Sequence, residues 1–600
     1  MPISTDAWVA ISAASTPVFS KDGTRLFHLR GAGLRGAGLP QVWVMDLDGG
    51  NAAQLSDHDE KVGLLRRSPT DDRVIWSIDA GGDELHQLWL LEPGGAPRAL
   101  TTDAKVMHNF GGFSPDGTRI AYSANDRDPQ FFDAVVMDLA SGGTVRLHHG
   151  PCVISVAAWS PDGARLAVIE DHGGIDQHLI LLNVATGAAH AVPRGRPTRY
   201  SAVRWTAAGV LMAITDAPDA DFLQLCSIDE TTGVASPVFA PLFREVEAWS
   251  LSPDGVQLAT VENDRGYATL RVGALGSNRP AVSGLPSGIV AEVAWQPDSS
   301  AVACTAQGPT DPVSLFLVQG GAASRLAVPD ALAPAGLAPD KLVAPALIEW
   351  VSFDGTRIPA FFALPKSPPP PGGYPAIMWI HGGPSSQTRA NFRPDTQMLL
   401  DQGFAVLLPN MRGSTGYGRA YMEADELHLR EHYIADMAAG RAWLAAQPGI
   451  DAARIGVMGQ SYGGWAVNAA IALQPELWRA AVNYYGISDF VTFYNNTSAY
   501  RRDHRAREYG FPGQHDALFD RISPIRHVDR VVTPTLFLHG DRDPRVPMAE
   551  TDAMVAAMEQ RQKKVKYEKF TYAGHGFIRP DHRRRVYAEV AAYFHEHLTP

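Results

Sequence analysis

Residues 454–470 read RIGVMGQSYGGWAVNAA, and this stretch decides the fold of the second half of the chain. A short apolar strand leads into GQSYG at 459–463, and a run of small residues suited to a helix follows. The pattern G-x-S-x-G between a strand and a helix predicts a nucleophile elbow, a tight turn that lifts Ser461 above the edge of a sheet. Side chains at Gly459 or Gly463 would collide with the neighbouring strand or helix. A chance match is the alternative, so the serine needs identifiable partners.

Length, composition and charge narrow the class of protein. A chain of 600 residues is too long for one hydrophobic core and predicts two or more domains. Hydrophobic residues make up 45% and charged residues 19%, which is typical of a globular protein. The net charge of −12, without clusters of Lys and Arg, argues against binding to nucleic acid.

The number of cysteines and the absence of long apolar runs indicate the cellular compartment in which the protein is expected. Cys152, Cys226 and Cys304 are too few and too scattered to predict a disulfide framework or a zinc site, and they fit a reducing environment. The first residues lack a basic segment followed by an apolar core, and no run of eighteen apolar residues occurs. We therefore expect a soluble, cytoplasmic protein with no metal, no cofactor and no membrane partner, and a homo-oligomer is left open.

A repeated unit fills residues 1–335. An apolar strand, Ser-Pro-Asp-Gly or a variant of it, and a second apolar strand recur seven times, at intervals of 48, 46, 46, 46, 46 and 44 residues. Proline presets φ, aspartate favours the next turn position and glycine adopts the left-handed one, so each unit begins with a β-hairpin. The equivalent positions are Ser20, Ser68, Ser114, Ser160, Thr206, Ser252 and Gln296.

Two further strands complete each unit. Four strands in a repeat of about 40 to 50 residues are typical of a propeller blade. We predict a seven-bladed β-propeller with WD40-like repeats over residues 1–335, because an irregular β-sandwich does not explain the regular period. A duplicated Arg-Gly-Ala-Gly-Leu between Arg30 and Leu39 predicts a flexible hairpin extension in the first blade.

A second domain follows an Ala- and Pro-rich linker at about residues 328–345. Strand-like and helix-like segments then alternate, which predicts a mostly parallel sheet covered by helices on both faces. Residues 336–600 are therefore predicted to form an α/β-hydrolase catalytic domain. The strand-like segments are 376–380, 405–408, 455–458, 480–484 and 535–538, and helix-like segments are 434–446 and 549–560.

An acid and a base follow the serine in the order that α/β-hydrolases use. Asp543 lies after a predicted strand, in an Asp-x-x-Val-Pro context, and we favour it over Asp541. His575 lies between two glycines after the strand-like segment 565–570. In this arrangement Asp543 orients His575, and His575 takes the proton from Ser461.

An oxyanion hole is the remaining requirement of such a site. One donor is expected to be the N–H of the residue after the nucleophile, here Tyr462. The second is expected from the loop WIHGGP at 379–384, where Gly383 lets the backbone approach a substrate oxygen closely. A simple turn is the alternative interpretation of this loop.

Five motifs together resemble the prolyl oligopeptidase family of serine peptidases. They are NMRGSTGYG at 410–418, HGGP at 381–384, GQSYGG at 459–464, DPRVP at 543–547 and GHG at 574–576. With the propeller, the resemblance covers nearly the whole chain. It implies a serine peptidase for short peptides, with the propeller excluding folded proteins from the active site.

Within that family the chain looks most like the acylaminoacyl peptidase branch. Relatives with a tyrosine in the early loop use its hydroxyl in the oxyanion hole, and His381 stands in that place here. No Glu-Glu pair of the kind that dipeptidyl peptidases use occurs in the chain. The resemblance implies that Arg545 holds the substrate backbone and pairs with Glu84 of the propeller. A surface ion pair is the alternative for Arg545.

Three aromatic residues follow the strand after the elbow helix. Phe490, Phe493 and Tyr494 either line an apolar pocket for the residue before the cleaved bond or belong to the core.

Other functions remain open at this point. An esterase or amidase for small molecules would use the same triad, as would an exopeptidase of the dipeptidyl or carboxypeptidase type. A binding scaffold with a decayed hydrolase domain is the alternative outside enzymes. Relative rates on matched ester and peptide substrates would separate a peptidase from an esterase.

Overall fold

The computed structural model describes residues 2–31, 38–240 and 242–599. An N-terminal β-propeller is followed by a C-terminal α/β-hydrolase domain. The hairpin extension predicted between Arg30 and Leu39 includes residues 32–37, which lie outside the described residues.

Six sheets of short strands make up the described part of the propeller. Four have four strands, one has three and one has eight. The four-stranded sheets contain β1–β4 (Ala14–Phe19, Arg25–Gly31, Pro40–Asp46, Ala53–Gln54), β5–β8 (Val62–Arg67, Val74–Ile78, Gln87–Leu91, Arg98–Ala99), β17–β20 (Tyr200–Trp205, Leu211–Thr215, Gln224–Ile228, Ala235–Pro237) and β24–β27 (Ile289–Trp295, Val302–Gly308, Asp311–Gln319, Ala322–Arg325). The eight-stranded sheet contains β9–β16 (His108–Phe113, Arg119–Asp128, Phe131–Asp138, Thr144–His148, Val153–Trp159, Arg165–Asp171, Gln177–Asn183, Ala189–Ala191), and the three-stranded sheet contains β21–β23 (Glu245–Leu251, Gln257–Asp264, Tyr267–Ala274).

The eight-stranded sheet consists of two four-stranded units that are joined between β11 and β13. Its two halves, β9–β12 and β13–β16, each form an antiparallel meander like the other sheets. A single parallel residue pair, Phe132 with Val153, joins them.

The Ser-Pro-Asp-Gly turns have the predicted chemistry. In the third copy, Asp116 Oδ1 accepts from Ser114 Oγ at 2.6 Å and from the Thr118 N–H at 3.0 Å. These hydrogen bonds lower the pKa of Asp116 to about 2. Gly117 has φ of +69°, the left-handed region that only glycine enters without strain. The hairpin that begins each unit is therefore confirmed in this copy.

Side-chain packing closes the ring between the first and last sheets. Ala14 and Phe19 of β1 share a buried cluster with Ala303 and Leu315 of the last sheet. Thr16 also donates through its N–H and its hydroxyl to the two carboxylate oxygens of Glu292, at 2.6 and 2.8 Å. The propeller thus closes through packing and polar contacts between neighbouring sheets.

The catalytic domain is built on one eight-stranded sheet. Its order is β28-β29-β31-β30-β32-β33-β34-β35, antiparallel at β28, β29 and β31 and parallel from β31 onward. All five predicted strands are confirmed, and their observed ends differ from the predicted ends by at most a few residues. The strands are β28 (Ala346–Val351), β29 (Arg357–Ala363), β30 (Tyr374–Ile380), β31 (Ala405–Pro409), β32 (Ile450–Gln460), β33 (Ala480–Tyr484), β34 (Thr535–Gly540) and β35 (Val565–Phe570).

Helices cover both faces of this sheet. Alternate residues of β30 enter two different buried clusters, Met378 and Ile380 on one face and Ile377 and Trp379 on the other. No helix of the described residues is long and apolar enough to cross a membrane. The α-helices are α1 (Thr5–Ala10), α2 (Pro394–Asp401), α3 (Arg419–Met422), α4 (Arg430–Ala445), α5 (Tyr462–Leu473), α6 (Phe490–Asn496), α7 (Arg502–Tyr509), α8 (Asp516–Ile522), α9 (Met548–Gln560) and α10 (Pro580–Leu598).

The first helix precedes the propeller in the sequence but packs in the catalytic domain. Trp8 of α1 is 1% exposed and lies in the same buried cluster as Phe594 of α10. Leu332 and Leu342, from the predicted linker, belong to that cluster as well. The linker segment is therefore anchored on the catalytic domain at two points.

Candidate active site

The elbow follows the backbone path that its sequence predicts. β32 ends at Gln460, α5 begins at Tyr462, and Ser461 between them has φ of 59° and ψ of −119°. The Ser461 N–H donates to the carbonyl of Tyr484 at 3.0 Å, which ties the turn to the neighbouring strand β33. Such a backbone conformation costs a non-glycine residue about 1 to 3 kcal/mol and persists only where the surroundings hold it.

Glycines allow the close contacts that hold the turn. A Cβ at Gly459 would lie 2.3 Å from the carbonyl oxygen of Gly463. One at Gly463 would lie 2.3 Å from the carbonyl oxygen of Ile380, and one at Gly464 would lie 2.6 Å from the Cα of Gly486. Since these are backbone atoms, they cannot move aside cheaply. The helix, the turn and the two flanking strands therefore meet at distances that only glycine permits.

Asp543 and His575 are brought together at the carboxyl end of the sheet. Nδ1 of His575 lies 2.6 Å from Oδ2 of Asp543. A carboxylate only accepts hydrogen bonds, so Nδ1 carries a proton, and in the neutral ring Nε2 remains free to accept one. The ring of Tyr485, which directly follows β33, lies against that imidazole with centroids 4.5 Å apart. This pair has the geometry of an orienting acid and a general base.

The surroundings of Asp543 keep it charged. Burial opposes its charge, but His575 and His539 together with their hydrogen bonds hold the pKa of Asp543 well below its usual range. Its Oδ1 accepts from the N–H groups of Arg545 and Val546, at 2.8 and 3.0 Å. The backbone of the loop after β34 thus donates two hydrogen bonds to the ionised carboxylate of Asp543.

Asp541, in the same loop, contacts the backbone and not the imidazole of His575. Its Oδ1 accepts from the backbone N–H of Tyr572 at 2.7 Å. It therefore fixes the turn that leads toward His575, whereas Asp543 is the aspartate that contacts the imidazole.

The early loop approaches the elbow through Gly382 and Gly383. A Cβ on Gly382 would lie 3.1 Å from the Cβ of Ser461, so the two backbones are in close contact. His381 is buried, its ring nitrogens lie 2.7 Å from the Gly382 carbonyl and 3.0 Å from Ser414 Oγ, and burial lowers its pKa to about 4. Because both ring nitrogens have hydrogen-bonding partners, His381 holds the loop in place.

A buried charged network supports Tyr462, the residue after Ser461. The hydroxyl of Tyr462 donates to Asp425 at 3.0 Å and is also hydrogen-bonded to Arg430, and all three side chains are buried. Burial raises the pKa of Asp425 to about 7. Tyr509 stacks on Tyr462 and donates to the carbonyl of Gly383 at 3.3 Å. Sequence reasoning missed this network, because Asp425, Arg430 and Tyr509 lie in no motif and the members are up to 84 positions apart.

A cavity of about 400 Å³ lies where the propeller meets His575. Glu84 of the propeller and Arg545 of the loop after β34 line it, and their side chains pair across the domains at 2.5 Å. The hydroxyl of Tyr500 lies 3.4 Å from the second carboxylate oxygen of Glu84. The structure thus brings together the two residues of the predicted pair beside the candidate base. Tyr500, at the start of the segment YRRDHRAR, was missed because it lies in none of the five motifs.

Comparison with known proteins identifies the second domain. The model of the prolyl oligopeptidase family matches residues 390–600. The chain contains a serine peptidase domain of this family. A dipeptidyl aminopeptidase BIII of Pseudoxanthomonas mexicana is 25% identical over 581 residues, 93% of this chain and 83% of that protein. The human acylamino-acid-releasing enzyme is 30% identical over 236 residues, 38% of this chain and 32% of that enzyme.

A solved structure has the same architecture over nearly its full length. A puromycin-hydrolyzing peptidase of Mycobacterium tuberculosis superposes with a TM-score of 0.87 at 22% identity, over 100% of this chain and 96% of that one. The likeness includes the propeller as well as the peptidase domain, and at this identity it bears on the fold alone.

The aromatic residues after β33 lie mainly in the core of the peptidase domain. Phe490 and Phe493 are buried in the cluster that contains Trp465, and neither ring lines the cavity beside His575. Tyr494 is half-buried, and its hydroxyl lies 3.4 Å from Asp503. The sequence left open whether these residues line a pocket or belong to the core, and the two phenylalanines belong to the core.

Replacing Gly463 tests the close packing of the elbow. Alanine normally stabilises a helix relative to glycine by about 1 kcal/mol. Here the new Cβ would lie 2.3 Å from one backbone oxygen and 2.6 Å from another. We expect Gly463→Ala to lower the melting temperature, with a cost of about 1 to 3 kcal/mol, and to weaken labelling by a fluorophosphonate.

The matched control is Gly112→Ala in the propeller, where the nearest atom to the new Cβ is a side-chain carbon at 3.6 Å. A Gly463→Ala protein as stable and as reactive as the wild type would contradict the contact geometry.

Proposed function

We propose that Ser461 is the nucleophile, His575 the general base and Asp543 the acid of a serine peptidase for short peptides. The single observation that carries the proposal is the contact between His575 Nδ1 and Asp543 Oδ2, at the same sheet edge as the strained Ser461 turn. His575 would take the serine proton as Ser461 attacks the peptide carbonyl, and would return it to the leaving amine.

The backbone N–H groups of Tyr462 and Gly383 are the proposed oxyanion donors. Support comes from the buried network that fixes Tyr462 and from the Tyr509 hydroxyl that holds the Gly383 carbonyl. Fixed donors stabilise the developing oxyanion without reorganising during the reaction. The neutral, buried His381 would contribute by holding this loop in place.

The propeller would limit the size of the substrate. It covers the His575 side of the peptidase domain, and the Glu84–Arg545 pair spans the junction. A guanidinium held by a carboxylate keeps further donors for a peptide carbonyl. We therefore propose that Arg545 binds the substrate backbone with Glu84 positioning it, as the acylaminoacyl branch implies. Phe490 and Phe493 would belong to the peptidase core, and Tyr494 would remain a candidate for the wall of the substrate pocket.

Release of free dipeptides is a second candidate activity. The relative that aligns with 93% of this chain carries the name dipeptidyl aminopeptidase BIII. Mass spectrometry of the products from a mixed library of free and N-acylated peptides separates the two. Acylated single residues among the products support the acylaminoacyl activity, and free dipeptides support the dipeptidyl one.

We also propose seven blades, a cytoplasmic location and short peptides as partners, with no nucleic acid or membrane partner. Counting the eight-stranded sheet as two blades joined at Phe132 and Val153 gives seven units, which agrees with the seven repeats in the sequence. The three free cysteines and the net charge of −12 are in keeping with the proposed location and partners.

Removing the nucleophile is the direct test. Ser461→Ala should lower peptide hydrolysis by about 10⁴- to 10⁶-fold and abolish labelling by a fluorophosphonate, because no other group replaces the attacking oxygen. Circular dichroism and the melting temperature should remain those of the wild type. Labelling that persists in the variant would rule out Ser461.

The two aspartates of the loop after β34 form a matched pair. Asp543→Asn should lower turnover by about 10⁴-fold, because an amide that donates to the imidazole holds the wrong tautomer. Asp541→Asn keeps an oxygen that can accept from the Tyr572 N–H, so its turnover should stay within about threefold of the wild type. Steady-state kinetics on one peptide measures both, and the reverse order of effects would contradict the assignment.

Charge reversal at the domain junction tests the substrate contact. Arg545 is 44% exposed and Glu84 is 16% exposed, so their mutual coupling should be about 1 kcal/mol or less. Glu84→Lys should raise KM for peptides by about fivefold through misplacement of Arg545, with a smaller effect on a small activated ester. A double-mutant cycle with Glu84→Gln and Arg545→Met measures the coupling. Equal changes in KM for peptide and ester would contradict a role in peptide binding.

A further inference from the structure

A group of metal-ligating side chains lies in the eight-stranded sheet of the propeller, away from the elbow. Among the residues that the structure describes, the ligand atoms of Cys152, Glu170 and His172 all lie within 4.8 Å of one another. We propose that these three residues bind a zinc ion.

The strand register places the three side chains on one face. In the hairpin of β13 and β14, Val153 pairs with Asp171, so Cys152 and His172 are the next two residues opposite each other. Glu170 and His172 are two positions apart and therefore point to the same side. Cys152 lies directly across from His172 and diagonally from Glu170, within reach of both.

One distance already matches zinc coordination. Nε2 of His172 lies 3.4 Å from Oε2 of Glu170. Two ligands each about 2.1 Å from a zinc ion lie about 3.4 Å apart when the angle between them is tetrahedral. The thiol of Cys152, within 4.8 Å of both atoms, needs only a small side-chain adjustment to complete three positions.

The donor set selects the metal. Calcium and magnesium prefer oxygen ligands, whereas a thiolate, an imidazole and a carboxylate together suit zinc. The scattered cysteines gave no zinc pattern in the sequence, because two of the three ligands are not cysteine and their proximity depends on strand register.

His148 supplies an outer contact that orients the carboxylate. Its Nε2 lies 2.7 Å from Oε1 of Glu170, the oxygen that does not face His172. Metal-binding carboxylates are commonly held in this way by a second side chain. His148 ends β12 and Glu170 lies in β14, on opposite sides of the Phe132–Val153 junction. Zinc binding would therefore strengthen the connection between the two halves of the sheet.

The charges around Cys152 favour a cation and set the proton balance. The carboxylates of Glu170, Asp171 and Asp133 lie near the Cys152 thiol. Arg127 is also nearby, but it is itself paired with Asp133 at 2.8 Å. Binding of Zn²⁺ would form the sulfur–zinc bond and release the thiol proton to the solvent.

The fourth coordination position would face a cavity of about 240 Å³ between the domains. Cys152 and His172 line it from the propeller, and Arg501 and Arg507 line it from the peptidase domain. Three protein ligands leave one position for water or an anion. The facing arginines favour a hydroxide or another small anion there.

Cobalt spectroscopy on the untagged, chelator-treated full-length protein tests the site. One equivalent of Co²⁺ should bind and give a thiolate-to-cobalt charge-transfer band. Zn²⁺ should displace the Co²⁺ and raise the melting temperature of the protein. Cys152→Ser should lose the band. His148→Gln should weaken Zn²⁺ binding by about 10- to 100-fold, and His172→Gln by more. Mg²⁺ should neither displace Co²⁺ nor raise the melting temperature.

Controls come from similar residues elsewhere in the propeller. Cys226→Ser, at a buried free cysteine in β19, and His190→Gln, in β16, should bind like the wild type. If Cys152→Ser does not fold, calorimetric titration of His172→Gln with Zn²⁺ decides in its place. The proposal would be overturned by any of three results. The wild type shows no thiolate band, the band persists in folded Cys152→Ser, or His172→Gln binds Zn²⁺ with unchanged affinity.

Discussion

The strained backbone of Ser461 is the constraint on which the catalytic domain depends. The serine has a positive φ, and Gly459, Gly463 and Gly464 let strand, turn and helix touch at backbone distance. The interior of the sheet supplies the packing that holds this turn, since α5 is buried along almost its whole length. The loops that carry Asp543, His575 and Gly383 follow strands that end at the same edge of the sheet, so their positions follow from one junction of strand and helix.

Electrostatics complements this packing on both sides of the elbow. Asp543 is buried yet charged, because two backbone N–H groups and two histidines surround it. On the other side, the buried Asp425 and Arg430 hold the Tyr462 side chain. Buried charges of this kind are costly to leave unpaired, so they fix side-chain positions more strictly than apolar packing would. The side chains of Asp543 and Tyr462 are thus held by hydrogen bonds in the structure without substrate.

The features that the sequence predicts well are those whose physics is local. A Ser-Pro-Asp-Gly turn carries its own hydrogen bonds and its own left-handed glycine, and the elbow at 459–463 carries its own steric requirement. Features that depend on strand register were not predicted, and contacts between distant segments were predicted only where a motif or the family resemblance implied them, as for Glu84 and Arg545. Cys152 and His172 meet only because Val153 pairs with Asp171. Apolar character alone could not distinguish a core position from a pocket wall for Phe490, because both exclude water.

The docking of α1 onto α10 makes the propeller an insertion within the fold of the catalytic domain. Domains that fold as they emerge from the ribosome fold first at the amino-terminal end. The helix with Trp8 is synthesised before the blades, whereas Phe594 of its binding surface is synthesised after them. The blades can therefore fold before α1 packs against α10. Cleavage of the linker between Leu332 and Leu342 would leave two fragments that still hold each other, because each contributes to one hydrophobic core.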